Sequence, residues 1–269
     1  MEGSRKPAVA GLFYPDRPEQ MEADLAGLLE DVQPKVAPRA LVVPHAGWIY
    51  SGKVAGAVYS RVELPRLAVL LGPNHTGLGG WGSIVTRGRW AIPGGEIPIA
   101  ADLGRQILAG CRELQEDESA HAREHALEVQ LPFLRRLRPD IQFVPVALMK
   151  TDLPFCEAVG RAVAAAVVAS AEPVLLISST DLNHYESQTV SNRKDRLAID
   201  AILALDPERL QRTVRDHHIS MCGIAPTTAL LSAVRNLGAR RAELVRYMTS
   251  GDVSGDYDRV VGYCGVIIQ

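Results

Sequence analysis

Apolar runs of roughly four to eight residues, each followed by a stretch with helical spacing, set the pattern of this chain. Arg39-Ala40-Leu41-Val42-Val43 is rich in β-branched residues and predicts a strand, then a loop over Pro44–Gly52 and a helix over Lys53–Arg61. Leu67–Leu71 predicts a second strand, stopped by Gly72-Pro73. Ile141–Leu148 and Val174–Ser178 repeat the pattern, with an Ala/Val-rich helix over Phe155–Ala169 between them. Strands apolar on both faces are what a parallel sheet covered by helices requires. The last third predicts helices over Arg193–Ala204, Pro207–Asp216 and Thr227–Leu237. Two strands close the chain, Leu244–Thr249 and Val260–Ile268, around the loop Ser250–Asp256. Gly94-Gly95 between short extended runs predicts a hairpin within residues 82–98. No repeat, low-complexity tract or long linker divides the 269 residues, fewer than two domains at a typical ~150 each. The expectation is one α/β domain over residues 1–269, with a central, mostly parallel sheet flanked by helices.

Composition narrows the classes. Twenty-nine Lys and Arg against 31 Asp and Glu leave a formal charge of −2, with no basic excess to draw nucleic acid or an anionic membrane. At 47% hydrophobic and 22% charged, the chain is not a disordered tail. Met1–Pro7 lacks the apolar core of a signal peptide. The most apolar stretch, Ala162–Ser179, is broken by Glu172 and Pro173 and does not read as a membrane span. Cys111, Cys156, Cys222 and Cys264 contain no C-x-x-C pair, so neither a disulfide framework nor a four-cysteine zinc site is indicated. These features together predict a cytoplasmic protein.

The candidate chemistry is positional. His45, His75 and His184 each fall just beyond the C-terminal end of a predicted strand. In open parallel sheets, ligand sites form in the crevice outside those ends, so residues distant in sequence converge there. Imidazoles are common ligands of Fe, Zn or Cu, and an anionic group often completes the set. Asp181 and Cys222 are the candidates for that third position. Cys222 precedes a helix whose start would favour thiolate. A competing pattern, His121-Ala122-Arg123-Glu124-His125, matches the H-x-x-E-H inverted zinc-peptidase motif, with both histidines on one face of an expected helix. Pro132 interrupts that helix and no third ligand is identifiable. In the other reading His125, Glu128 and Gln130 line or brace the crevice, and Arg123 and Arg135-Arg136 form a solvated face. Gly77-Leu78-Gly79-Gly80 lacks the P-loop Lys-Ser/Thr, and no G-x-S-x-G elbow accompanies Ser51, Ser178 or Ser179.

Several segments in order resemble the Memo-like family, also called AmmeMemoRadiSam system protein B. They are Ala8–Pro15, Pro44–Gly52, Gly72–His75, Glu124–Pro132, Ser179–His184 and Cys222-Gly223, and they span nearly the whole chain. The resemblance implies a fold akin to the class III extradiol dioxygenases, non-haem iron enzymes that hold Fe(II) with two histidines and a glutamate. It puts His45 and His75 at the two histidine positions, Cys222 where those enzymes have glutamate, and His184 at the acid/base position, oriented by Asp181. Trp48, Tyr50, Asn74, Asn183, His125 and Glu128 would shape the substrate pocket. A thiolate is softer than a carboxylate and shifts preference towards Zn or Cu. The implied function is a metal-dependent, most simply Fe(II)-dependent, oxidoreductase acting on a small molecule. The rivals are a peptide- or partner-binding protein with a vestigial site, and a zinc peptidase. The family's name also implies radical-SAM and AMMECR-type partners.

Overall fold

The computed structural model describes residues 3–269. Elements in chain order are β1 (Ser4–Arg5), α1 (Pro18–Leu28), β2 (Ala40–Val43), α2 (Trp48–Tyr59), β3 (Leu67–Pro73), β4 (Gly82–Ile84), β5 (Arg89–Ile92), β6 (Gly95–Pro98) and α3 (Ala101–Gly110). They continue with β7 (Gln115–Glu116), a 3₁₀ turn (Glu128–Gln130), α4 (Leu131–Leu137), β8 (Gln142–Leu148), α5 (Leu153–Ala169), β9 (Val174–Ser179) and β10 (His184–Glu186). The last are α6 (Gln188–Leu203), α7 (Pro207–Asp216), α8 (Ile224–Asn236), β11 (Ala242–Thr249), α9 (Gly251–Ser254) and β12 (Val260–Ile268).

Among the described residues nine strands form the main sheet in the order β10-β12-β2-β9-β3-β8-β4-β7, with β11 also paired to β12. The expected parallel arrangement holds for its centre, β2-β9-β3-β8. The flanks correct the rest: β12 runs antiparallel to β2, β10 and β11, and β4 antiparallel to β8. The sheet is therefore mixed. The antiparallel closure follows from the chain ending on a direct β11–β12 return, which needs no crossover helix.

Alternation on the central strands explains why they are apolar on both sides. Ala40, Val42, Leu67, Val69, Leu71 and Leu176 face a core shared with α5 and α8. Leu41, Val43, Ala68, Leu70, Leu175 and Ile177 face the opposite core, shared with α1, α2 and α4. Each fully buried Val, Leu or Ile side chain among them stabilises by about 1.5–3 kcal/mol.

The expected strands are present, and the hairpin is β5–β6, with Ile92 paired to Gly95. Four helix starts lie earlier than the apolar spacing indicates, α5 among them at Leu153. α2 begins at Trp48, not Lys53, because Gly52 and Gly56 are packing glycines rather than loop residues. A Cβ at Gly56 would stand 2.2 Å from the Leu28 carbonyl oxygen of α1. α6 and α8 likewise start at Gln188 and Ile224. The stretch 121–127 is a series of turns rather than a helix, and Pro132 lies in the first turn of α4, where its missing N–H costs nothing. The apolar stretch Ala162–Ser179 divides between α5 and β9, and among the described residues no helix is long and apolar enough to cross a membrane.

Candidate metal centre

Because β9 lies between β2 and β3, the loops leaving those three strands are neighbours, and they carry His45, Asp181 and His75. Thr180 N–H donates to the Val43 carbonyl at 2.8 Å, so the β2 and β9 ends stay paired beyond the ladder. Two further segments close over them: the turns that precede the 3₁₀ segment, carrying His125, and the approach to α8, carrying Cys222. Together they form a cleft of about 540 Å³ whose walls include all five of these side chains and His184.

The ring centroids of His45 and His75 are 5.2 Å apart, those of His45 and His125 5.4 Å, and those of His75 and His125 4.6 Å. One ligand nitrogen from each ring lies within 4.8 Å of the others. Atoms each ~2.1 Å from a common ion lie at most ~4.2 Å apart. The group thus closes on an ion with a shift of about half an ångström. His45 is buried, His125 half-buried and His75 open to the cleft mouth.

Hydrogen bonds assign the tautomers. His45 Nδ1 meets Ser179 Oγ at 3.0 Å. That hydroxyl gives its own hydrogen to the Ala126 carbonyl (2.6 Å) and accepts from Gln130 Nε2 (3.0 Å). Nδ1 must therefore donate, and Nε2 presents a lone pair to the cleft. His75 Nδ1 donates to Glu124 Oε1 at 2.9 Å, and Glu124 also accepts from the His75 and Ala126 amides (2.5 and 2.9 Å). A carboxylate behind a histidine is the outer support that fixes ring orientation at metal sites. His125 Nδ1 lies 3.4 Å from the same Glu124 oxygen.

Burial, reinforced by the neighbouring His75, holds the His45 imidazole down at about 3. Burial and His45 hold His125 at about 4. Burial opposes ionisation of Glu124, but the His75 hydrogen bond and charge outweigh it and hold the carboxyl at about 2. At neutral pH the cleft therefore offers two neutral imidazoles and an ionised buttress. That donor set fits a borderline transition-metal ion.

The Cys222 Sγ lies 3.2 Å from His45 Nε2 and outside the three-imidazole group. The expected thiolate is not favoured here: burial, then the nearby Asp181, push the thiol above its ordinary value. The Asp181 carboxyl is likewise pushed up by burial, and its Oδ1 accepts from the His45 amide at 2.8 Å. His184 Nδ1 donates to the Ser220 carbonyl at 2.8 Å, leaving Nε2 free on the cleft wall. Next to it, Tyr185 has φ 60°, a left-handed conformation uncommon outside glycine, and lines the same wall.

Of the six residues expected to shape the pocket, only His125 lines it. Trp48 packs between Tyr14 and Phe133 and donates to the Val129 carbonyl at 3.2 Å. Asn183 is buried against Glu186 and Ser191, and Asn74 caps its own turn at Thr76 and Gly77. Glu128 is fully buried, accepting from the Ala8 and Val9 amides and the Tyr14 hydroxyl. Tyr50 stands at the surface outside the cleft. Phe13, Ser220, Val261 and Tyr263 take those wall positions; Phe13 comes from the Ala8–Pro15 motif, the other three from segments with no motif to announce them. The two histidines of the H-x-x-E-H pattern line different cavities, His125 this one and His121 another. They share no ligand group among the described residues.

A model of the Memo-like protein family matches residues 5–267. A MEMO1 family protein of Methanopyrus kandleri is 38% identical over 279 residues, covering 98% of this chain and 99% of the relative. One of Aquifex aeolicus is 40% identical over 266 residues, covering 98% of each. Among solved structures, an uncharacterized protein from Escherichia coli superposes with a TM-score of 0.53 at 12% identity, over 84% of this chain and 98% of that one. That likeness concerns the fold alone. The chain belongs to the Memo-like family.

Proposed function

We propose that the chain is a metal-dependent oxidoreductase of dioxygenase-like architecture, acting on a small molecule in the histidine cleft. The observation that carries this reading is the set of three imidazoles gathered within 4.8 Å, two of them fixed as Nδ1–H tautomers, lining a cleft of about 540 Å³. His45, His75 and His125 would hold the ion, with Glu124 bracing two of them. Iron is the ion we favour, with Zn and Cu as competitors for the same imidazoles. Bound iron would supply one-electron and O₂ chemistry to the cleft. His184, anchored through Nδ1, exposes Nε2 to accept or return a proton at the substrate. Asp181 orders the His45 backbone through its amide and faces the same volume.

Two parts are open to Cys222 in this arrangement, the ligand role implied by family resemblance and that of a competitor for His45. Its thiol is the hydrogen-bond partner of the His45 lone pair that an ion would take. Anaerobic Fe(II) titration separates the two roles. If Cys222 is a ligand, Cys222→Ala weakens binding; if it is a competitor, the variant binds as well as or better than wild type, while His125→Ala binds less. Oxygen uptake with catechols and small phenols then tests turnover. Uptake abolished by His184→Ala supports the enzyme. Equal Fe(II) binding by wild type and His45→Ala overturns the site.

A further inference from the structure

A second cavity of about 590 Å³ lies on the other side of the segment that links His121 to His125. Its wall is assembled from the stretch around β1, from Val85–Trp90 leading into β5, and from the turns at Glu118–Arg123. Five cationic side chains line it, Arg5, Lys6, Arg87, Arg89 and Arg123, against one carboxylate, Glu118. Two of the five are already committed. Arg5 stacks over Trp90 at 4.1 Å, pairs with Glu128 at 2.7 Å and donates to the His121 and Glu124 carbonyls. Arg89 pairs with Glu96 at 3.2 Å. Among the described residues, Lys6, Arg87 and Arg123 form no ion pair, and all three are exposed.

His121 supplies an independent observation. It is 1% exposed, lines this cavity, and neither ring nitrogen meets a hydrogen-bond partner among the described residues, although the Ser83 backbone faces the ring. A buried imidazole with both nitrogens unsatisfied costs free energy unless something else completes it. Arg5 donates to the His121 backbone carbonyl and not to the ring, and Trp90 contacts the ring edge-on at 5.6 Å. Unpaired guanidinium groups around a concave surface suit a phosphate, whose oxygens accept several charge-assisted bonds at once.

We propose that this cavity is a second ligand site, taking a small phosphate-bearing organic molecule. The phosphate meets Arg87, Arg123 and Lys6, and a polar group on the organic body meets the His121 ring. A volume of about 590 Å³ falls within the range of small-molecule sites. The chain's near-neutral balance makes this local excess of positive charge a feature of the cavity and not of the whole surface.

Isothermal titration of the full chain with adenosine monophosphate, inorganic phosphate and adenosine tests the assignment. The expected result is binding of the monophosphate that weakens as salt rises, weaker binding of phosphate alone, and none of adenosine. Arg87→Ala and Arg123→Ala are exposed changes that leave the fold intact, and each should weaken binding by ~10-fold or more. His121→Gln should weaken the monophosphate more than free phosphate. His75→Ala, in the other cleft, should leave binding unchanged. Absence of binding for both phosphate compounds, binding indifferent to the double variant, or binding abolished by His75→Ala overturns the proposal. The last outcome would assign the phosphate to the histidine cleft.

Discussion

The two clefts on either side of the His121–Glu128 segment are built on opposite terms. In the histidine cleft the imidazoles of His45 and His75, the Glu124 carboxylate and the Ser179 hydroxyl all have assigned partners. Those bonds settle which nitrogen faces the open volume. In the basic cavity, among the described residues, the buried His121 ring has no hydrogen-bond partner and three surface cations form no ion pair. Sites at parallel strand ends inherit rigid supports from the sheet. A site made of loops and an edge strand does not, and its polar groups wait for a ligand to satisfy them.

Removing a ligand should break the first cleft most severely. His75→Ala is expected to lower metal affinity by more than the ~10–100-fold that loss of an outer partner costs. Metal analysis after anaerobic Fe(II) loading reads this, and full retention would dissolve the contrast drawn above.

Acid should act on both clefts. His45, His121 and His125 are all held below their ordinary value of 6.5, to about 3, 4 and 4. Each takes up a proton more readily when unfolded, so stability is complete above 6.5 and falls as pH drops towards those values. Each contributes up to about 1.4 kcal/mol per pH unit. Asp195 and Asp181 oppose them, because burial pushes the first carboxyl up to about 6 and the second above its ordinary value, so their protonated native forms are favoured as pH falls. Three against two leaves a net loss. Urea midpoints measured on metal-free protein should fall between pH 7 and pH 5, and a flat profile would contradict the burial argument. His121→Gln should flatten the slope by removing one of the three, on the basic side only.

Glu124→Gln sharpens the comparison further. The carboxylate accepts from two amides and a ring nitrogen, and a carboxamide must turn an N–H towards one of those donors. Metal affinity should drop ~10–100-fold with the fold retained. Tyr50→Ala marks the lower end. It sits outside the cleft, so metal affinity should change less than ~2-fold and stability by less than ~0.5 kcal/mol.

Much of the first cleft was legible in the sequence because strand ends announce themselves. Unbroken apolar runs located β2, β3 and β9, and His45, His75 and Asp181 followed one step beyond each. What sequence spacing could not supply was the order of strands, which makes those three loops adjacent, and the route of the turns that bring His125 in. Treating 121–125 as a helix placed His121 and His125 on one face, whereas the turns send them apart. Glu128 and Asn183 lie within recognisable motifs but serve the framework, showing that a motif marks a place and not a contact. α1 and α3 left no expectation at all: α1 buries only Met21 and Leu25, and α3 only Leu103, Gly104 and Ile107, too few positions to set a repeat. The basic cavity was illegible for a plainer reason, since its wall joins three segments no local pattern links.

The Ser179 hydroxyl has one hydrogen and two lone pairs, and Ala126, Gln130 and His45 use all of them. No slack remains for the His45 ring to exchange its proton from one nitrogen to the other. An ion loading at Nε2 would therefore need no ring flip and no proton relocation, only displacement of the Cys222 contact at that nitrogen.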